Sequence, residues 1–335
     1  MSRRLLRVLR AGLMTTVQDT GRADCGHMGV PVGGSLDRLS HRLANRLVGN
    51  PETAAVLELT LRGDDIEFLD DAVIAICGAD LRPQLETEPG CLRSCPVQCP
   101  VFIKRGTVLR LGLAVRGCRA VLAVAGGIEV PQLLGSRSTL LRSGWGGFGG
   151  RRLAAGDCLA VGEAVAAAGV CGIPVAVGEG FPRWGIRLQP LPGKEPARLR
   201  FVAGTHFGQL TCDSRAQLLE GRFELRPESD RMGYRLRGPV LELASAEQGR
   251  LKSAGVVPGT LQLPADGQLL LLMADCAPTG GYPRIGHVIS ADLSLAAQLR
   301  PGDSLRLEQV TTAEALRAFE QQERELRAAL VMAGL

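Results

Sequence analysis

The sequence predicts a mainly β protein with a few helices, built in two parts that each contain barrel or sandwich strands. Glycine supplies 43 of the 335 residues and aromatic residues only 4%, which favours an aliphatic core with many tight turns. Short apolar runs divided by Gly, Pro and Asp recur through residues 56–161 and again through 199–309. The length is also that of two ordinary domains.

The N-terminal half, residues 1–165, is predicted to combine one helix with a set of strands. Leucines at helical spacing predict a helix over 35–48, with Ser35 as its cap and Gly49 just beyond its end. Apolar runs then predict further strands at 73–76, 108–111, 120–124 and 159–161.

The C-terminal half, residues 180–310, repeats this pattern. Residues 164–177 have no hydrophobic period, so we place the boundary between the halves there. Predicted strands follow at 199–202, 240–243, 268–273 and 305–309. Thr311 and Glu314 have the spacing of a capping box and predict a helix over 311–335. We expect its apolar residues to form one face that packs on the barrel: Leu316, Phe319, Leu326 and Leu330.

Charge and composition exclude several classes of function. The net charge of +5 comes from 39 basic and 34 acidic residues that interleave along the chain, so we expect no nucleic-acid binding. The chain has no run of 18 uncharged apolar residues and begins MSRRLLRVLR, so we expect a cytoplasmic protein without membrane association. Cys91, Cys95 and Cys99 lack a fourth ligand at zinc spacing, and we expect no metal site.

Three glycine-rich polar segments, 16–22, 135–151 and 275–283, are the candidate binding regions. Glycine beside charged or hydroxyl groups lets the backbone approach a ligand closely, although hairpin turns use the same residues. The sequence contains no Walker loop, no GxSxG and no HExxH motif. The candidate residues in the three segments are Gln18, Asp19, Arg22, Gly146, Gly147, Arg151, Asp275, Thr279, Gly280, Gly281 and Tyr282.

A longer set of phrases carries a family resemblance. The phrases are TTVQDTGR (15–22), GVPVGGSLD (29–37), ANRLVGNPETAAVLELTLRG (44–63), AICGADL (75–81), RAVLAVAGGIEVPQLLGSRST (119–139), GGFGGRRLAAGD (146–157), SDRMGYRLRG (229–238), GTLQLPADGQLLLLMAD (259–275) and PTGGYP (278–283). Together they resemble the allophanate hydrolase subunit 2 family, also called the biotin-dependent carboxyltransferase family. This family includes the C subunits of 5-oxoprolinase and the antagonists of a kinase-inhibitor protein of sporulation.

The resemblance implies a two-part, cyclophilin-like β-barrel architecture and a place in a complex. The first expectation is the C subunit of a heteromeric, ATP-dependent 5-oxoprolinase that converts 5-oxo-L-proline to L-glutamate together with the A and B subunits. In this expectation the chain shares a site with the B subunit and is inactive alone. The B subunit is the smaller sister, allophanate hydrolase subunit 1. One alternative is a carboxyltransferase acting on urea or a related amide, with biotin on a separate carrier protein. Another is a non-catalytic regulatory partner of a kinase-inhibitor protein.

The resemblance also assigns roles to the candidate residues. Asp19, Asp275 and Arg151 are the expected catalytic residues, while Asp230 and Arg231 join the remaining candidates as substrate-binding residues. Arg151 or Arg231 would pair with the substrate carboxylate, and Asp275 or Asp19 would accept its amide N–H. Backbone donors at the glycines 146, 147, 280 and 281 would polarise the carbonyl.

Overall fold

The computed structural model describes residues 4–163, 191–193, 195–244 and 251–332. Two compact units are present. The first combines Met1–Gly21, Asp37–Leu191 and Arg324–Leu335, and the second combines Arg22–Leu36 with Pro192–Glu323. The boundary predicted at residues 164–177 lies outside the described residues, so the two predicted halves stay a prediction. Each unit also includes a segment from the other half of the chain, because Leu36 packs in the core of the second unit and Leu326 in that of the first.

The first unit is rich in antiparallel strands. Its described elements are β1 (Arg4–Arg10), β2 (Met14–Gln18), α1 (Arg38–Leu47), β3 (Val56–Thr60), β4 (Asp65–Phe68), β5 (Ala72–Asp80), β6 (Gln84–Glu88), β7 (Cys91–Ser94), β8 (Val101–Ile103), β9 (Val108–Arg110), β10 (Arg116–Val124), β11 (Ile128–Glu129) and β12 (Cys158–Val161).

Two sheets share the core of this unit. One has the strand order β11-β12-β1-β4-β9-β6-β7 and the other β2-β3-β10-β5-β8. Alternate residues of most of these strands point between the sheets, as the period of two requires, and meet in one apolar cluster, whereas β7 is exposed along its length. Its members include Leu6 of β1, Leu59 of β3 and Phe68 of β4, all with 1% exposure or less.

Helix α1 covers the opposite face of the five-stranded sheet. Leu39, Leu43 and Leu47 pack against Val121 and Ala123 of β10, so β10 is buried on both faces. The predicted cap of this helix is wrong by two residues: Asp37, rather than Ser35, accepts a hydrogen bond from the backbone N–H of Ser40.

The second unit is built on a closed barrel. Its described elements are β13 (Ala197–Ala203), α2 (Cys212–Glu220), β14 (Phe223–Leu225), β15 (Gly233–Arg237), β16 (Ala254–Gly255), β17 (Thr260–Gln262), β18 (Leu270–Leu272), β19 (Thr279–Gly280), β20 (Arg284–Val288), α3 (Ser290–Ala297) and β21 (Ser304–Gln309).

Seven strands close the barrel in the order β13-β20-β17-β18-β15-β14-β21. Phe201, Tyr234 and Leu271 fill its centre. A separate ribbon pairs β16 with β19. The prediction of a mainly β protein with barrel strands is confirmed. The strand predicted at 240–243 is wrong, since only Leu243 forms an isolated bridge there.

The last described element is α4 (Thr312–Met332). Its predicted capping box is confirmed, because Thr311 Oγ1 accepts from the Glu314 N–H while the Glu314 carboxylate accepts from the Thr311 N–H. The predicted single packing face is wrong in its first half. Leu316 and Phe319 are 58% and 42% exposed, whereas Leu326 and Leu330 are buried with the residues of α1. Among the described residues, no helix has the length and apolar character needed to cross a membrane.

Candidate functional site

The carboxylate of Asp19, directly after β2, holds a distant segment in place. It accepts hydrogen bonds from Ser136 Oγ at 2.6 Å, from the Arg137 N–H at 2.6 Å, from Ser138 Oγ, and from the Gly21 N–H at 2.8 Å. A carboxylate offers about four acceptor positions. Asp19 uses them to fasten residues 136–138 to the end of β2, which favours a positioning role over the predicted one of accepting a substrate N–H.

Gln18, the last residue of β2, is fully buried and keeps one polar atom unused. Its Nε2 donates to Thr16 Oγ1 at 3.0 Å and to the Thr139 carbonyl at 3.2 Å. Because a carbonyl only accepts, the second bond fixes the orientation of the amide. Within the described residues, its Oε1 is left as a buried acceptor without a donor. Such an atom costs about 1–3 kcal/mol and is a group that an incoming N–H would satisfy.

The glycine-rich segment 144–150 packs on the same residues. Gly147 has φ +52°, and a Cβ built on it would lie 1.9 Å from Thr139 Oγ1, so no side chain fits here. The carbonyl of Gly146 accepts from the Gly150 N–H at 2.8 Å, which closes the segment on itself. Gln18, Asp19 and Gly147 of the predicted set are therefore brought together around residues 136–139.

Arg151 lies at the end of this segment and is paired within the first unit. Its guanidinium donates to both carboxylate oxygens of Asp157, at 2.7 and 2.8 Å, and stands 5.1 Å from the centroid of the Phe148 ring. The hydrogen bond with Asp157 raises the pKa of Arg151, and its counterpart lowers the pKa of Asp157. The side chain of Arg151 is 49% exposed. To bind a substrate carboxylate, the Arg151 guanidinium must either leave Asp157 or contact both carboxylates. Its predicted catalytic role stays a prediction.

In the second unit, two predicted residues bind each other. Arg231 Nε lies 2.9 Å from Asp275 Oδ2, and its Nη2 lies 3.0 Å from Oδ1 and 2.6 Å from the Gly34 carbonyl. Both side chains are buried, at 5% and 6% exposure. Asp275 retains acceptor capacity beyond these two bonds, since a carboxylate has about four acceptor positions. The structure therefore favours Arg231 as the residue that orients Asp275.

Two other predicted residues of this unit have local structural contacts. Asp230 accepts from the backbone N–H of Met232 at 2.8 Å and of Gly233 at 3.2 Å, which shapes the turn before β15. Arg22 is 2% exposed, and its backbone N–H donates to the Val32 carbonyl at 2.7 Å.

The third predicted segment, 275–283, contains β19, which pairs with β16 in the ribbon, and the residues after it. A Cβ on Gly280 would lie 2.5 Å from Gln262 Nε2, so the bare backbone of Gly280 covers that amide. Gln262 is 3% exposed, and its Nε2 has no partner in the described part of the chain. Gln262 was not among the residues predicted from the sequence. The sequence signal that could have identified it is its position as a polar residue between Leu261 and Leu263, which both belong to the barrel core.

The remaining residues of the segment are more open. Thr279 is exposed and lies in β19, while the Gly281 carbonyl accepts from the Leu251 N–H at 3.1 Å. Tyr282 is 42% exposed and lines a cavity of about 300 Å³ together with Val240 and Leu263.

Two thiols of the cysteine cluster are held in their protonated form by burial. Burial raises the pKa of Cys95 to about 12 and of Cys99 to about 11, whereas Cys91 is exposed. No group of three His, Cys, Asp or Glu side chains in the described ranges is arranged to hold a metal ion. The expected lack of a metal stays a prediction, which elemental analysis of the purified protein tests.

Comparison with known proteins identifies a family and several relatives that this chain resembles. The profile described as "Carboxyltransferase domain, subdomain A and B" matches residues 28–309. The C subunit of 5-oxoprolinase of Escherichia coli (strain K12) is 36% identical over 324 residues, covering 96% of both chains. The urea amidolyase of Lachancea kluyveri is 31% identical over 312 residues, covering 89% of this chain and 16% of that protein. The crystal structure of the K. lactis urea amidolyase matches with a TM-score of 0.85 at 28% identity, covering 98% of this chain and 20% of that one.

These matches confirm the family resemblance carried by the glycine-rich phrases. The profile covers most of both units, including the strand-rich part of the first and the barrel of the second. The chain belongs to the family of carboxyltransferase domains with subdomains A and B.

Proposed function

We propose that this chain is the C subunit of a heteromeric, ATP-dependent 5-oxoprolinase that converts 5-oxo-L-proline to L-glutamate. The observation that carries the proposal is the match to the C subunit of the Escherichia coli 5-oxoprolinase, which spans 96% of both proteins. The urea amidolyase match spans only 16% of its protein. The identity to that subunit, 36%, also exceeds the 31% identity to the urea amidolyase, which favours the 5-oxoprolinase assignment.

In this proposal the chemistry is divided among the subunits. The lactam amide is stabilised by resonance, so its opening needs an activating group as well as binding groups. This chain supplies hydrogen-bonding groups for the planar amide, and the ATP-dependent activation belongs to the assembly with the A and B subunits. The isolated chain therefore binds without turnover.

Within the second unit, Asp275 and Gln262 are the proposed amide-binding residues. Asp275 accepts the substrate N–H with the acceptor positions that its two bonds to Arg231 leave open. Gln262 Nε2, which has no partner among the described residues, is the proposed donor to a carbonyl oxygen as negative charge develops on it, and a ligand reaches it only when Gly280 moves aside. Arg231 positions Asp275 by a two-point contact.

The corresponding residues of the first unit act indirectly or remain available to a ligand. Asp19 is the proposed positioning residue, because its four contacts fix residues 136–138 beside Gln18. Gln18 Oε1 is the acceptor of this unit for an amide N–H. The Gln18 and Gln262 assignments predict a larger effect on KM and kcat than on the free energy of unfolding, which the uncharged, similarly sized Gln→Met variants at 18 and 262 would measure.

A carboxyltransferase function is the second candidate. It is supported by the family profile and by the TM-score of 0.85 to the K. lactis urea amidolyase structure. In this case the same amide-binding residues would hold urea or a related amide, and biotin would arrive on a separate carrier protein.

One experiment separates the two candidates. The chain is purified together with the A and B subunits from its own organism, and glutamate release from 5-oxo-L-proline is measured with and without ATP. A parallel reaction contains urea and a carboxylated biotin carrier, with and without avidin. ATP-dependent, avidin-insensitive glutamate release supports the 5-oxoprolinase. Avidin-sensitive carboxylation of urea without glutamate release would replace it by the carboxyltransferase.

A further inference from the structure

A second cavity, of about 560 Å³, lies in the first unit and contains none of the predicted site residues. It is lined by residues 76–80, 82–84 and 94–98, with Arg116 and Leu191. All of these belong to the first unit. The volume is in the range of cavities that hold small molecules, about 300–1,000 Å³.

The backbone around this cavity adopts conformations that side chains rarely allow. Arg82 has φ +47° and Gln98 has φ +58°, and they are two of the four non-glycine residues with positive φ in the described ranges. Hydrogen bonds hold both: the Arg82 N–H donates to Asp80 Oδ1 at 2.8 Å, and the Gln98 N–H donates to the Ile76 carbonyl at 2.7 Å. Such residues concentrate at sites where a fold holds groups ready for a ligand.

The pairing of β5 with β10 is interrupted at the same place. Gly78 is opposite Ala120, but Asp80 is opposite Arg116, so four steps on β10 match two on β5. A bulge of this kind redirects side chains and is common beside binding sites. Here it places Arg116 on the wall of the cavity, where its Nη2 donates to the Leu191 carbonyl at 3.2 Å.

The charges that line the cavity favour an anion. The lining contains two positive charges, Arg82 and Arg116, and one carboxylate, Asp80, which already accepts a backbone hydrogen bond. In the described part of the chain, the guanidinium of Arg82 has neither an ion-pair nor a hydrogen-bond partner. The lining residues Gln84 and Gln98 add neutral donors and acceptors. The planar guanidinium fork is well suited to a carboxylate or a phosphate.

We propose that this cavity binds a small organic anion whose carboxylate or phosphate is held by Arg82 and Arg116. The rest of the molecule would lie against the side-chain amides of Gln84 and Gln98 and the apolar lining residues. The proposal is independent of the 5-oxoprolinase assignment.

Isothermal titration calorimetry on the full chain tests it with two probes, citrate for carboxylates and adenosine 5′-monophosphate for phosphates. Arg82→Gln and Arg116→Gln are each expected to weaken binding roughly tenfold to hundredfold, since each removes a charge-assisted contact. Arg93→Gln is the matched control, because Arg93 is exposed on β7 and does not line the cavity. Thermal unfolding of the three variants shows whether each one folds.

Binding of either probe that is lost in the two cavity variants and kept in Arg93→Gln supports the site, and the probe that binds identifies the anion class. The proposal is overturned if neither probe binds with a dissociation constant below about 1 mM. It is equally overturned if the folded Arg82→Gln and Arg116→Gln variants bind as well as the control.

Discussion

Replacing Arg231 by Met should destabilise the second unit strongly. The change removes two contacts to Asp275, at 2.9 and 3.0 Å, and one to the Gly34 carbonyl at 2.6 Å. Because Asp275 is only 6% exposed, its carboxylate would stay buried without its counter-ion. Breaking a buried pair in this way costs about 3–5 kcal/mol of the free energy of unfolding. The double variant Arg231→Met with Asp275→Leu should recover much of this loss, since it leaves no buried charge at this pair.

Equilibrium urea denaturation at neutral pH measures these differences. The matched control is Arg198→Met, which breaks a pair with Glu308 whose side chains are 75% and 45% exposed. An exposed pair of this kind contributes about 1 kcal/mol or less. If Arg231→Met costs no more than Arg198→Met, or if the double variant is as unstable as the sum of the single variants, the buried pair does not have the structural role described above.

Single residues carry three other predictions. Gly147→Ala should lower the free energy of unfolding by more than about 2 kcal/mol, because the added Cβ would lie 1.9 Å from Thr139 Oγ1. The control Gly149→Ala, at φ +63° with open space around it, should lower it only by the backbone strain of about 1–2 kcal/mol. Burial lowers the pKa of His41 to about 4 from 6.5, so the contribution of neutral His41 to stability is fully present above pH 6.5 and decreases by about 3 kcal/mol as the pH drops to 4. A stability profile of His41→Gln that kept the same slope would contradict this. Arg151→Ala should lower kcat/KM of the assembled enzyme roughly tenfold to hundredfold while leaving the urea midpoint nearly unchanged, and unaltered kcat/KM would exclude its role as the anion clamp.

Local signals in the sequence were sufficient for some elements but not for others. The leucines of α1 and the capping box of α4 act within a few residues, so their spacing predicts the helices directly. Helix α3 has no such signal: its sequence SADLSLAA is small or apolar on every side, and its cap position, Ile289, provides no side-chain bond. Helix α2 buries only Ser214 and Leu218, which form no apolar stripe.

Prediction of the candidate site is likewise limited to signals that act within a few residues. The glycine-rich segments are visible in the sequence because glycine and polar residues lie side by side. Their partners are distant: Asp19 binds Ser136 across 117 positions, and Arg231 binds Asp275 across 44. Their place in glycine-rich polar segments identified Asp19 and Asp275 as candidates, but only their hydrogen bonds distinguish positioning from binding. Exchange of Arg22–Leu36 into the second unit is also long-range, and no local pattern predicts it.

The most direct test of the proposed function is an omission experiment. The A and B subunits from the same organism are assayed with ATP and 5-oxo-L-proline, with and without this chain, and glutamate is quantified over time; this chain is also assayed alone. The proposal predicts glutamate release only from the complete mixture. Release at an undiminished rate without this chain, or robust release by this chain alone, would contradict it.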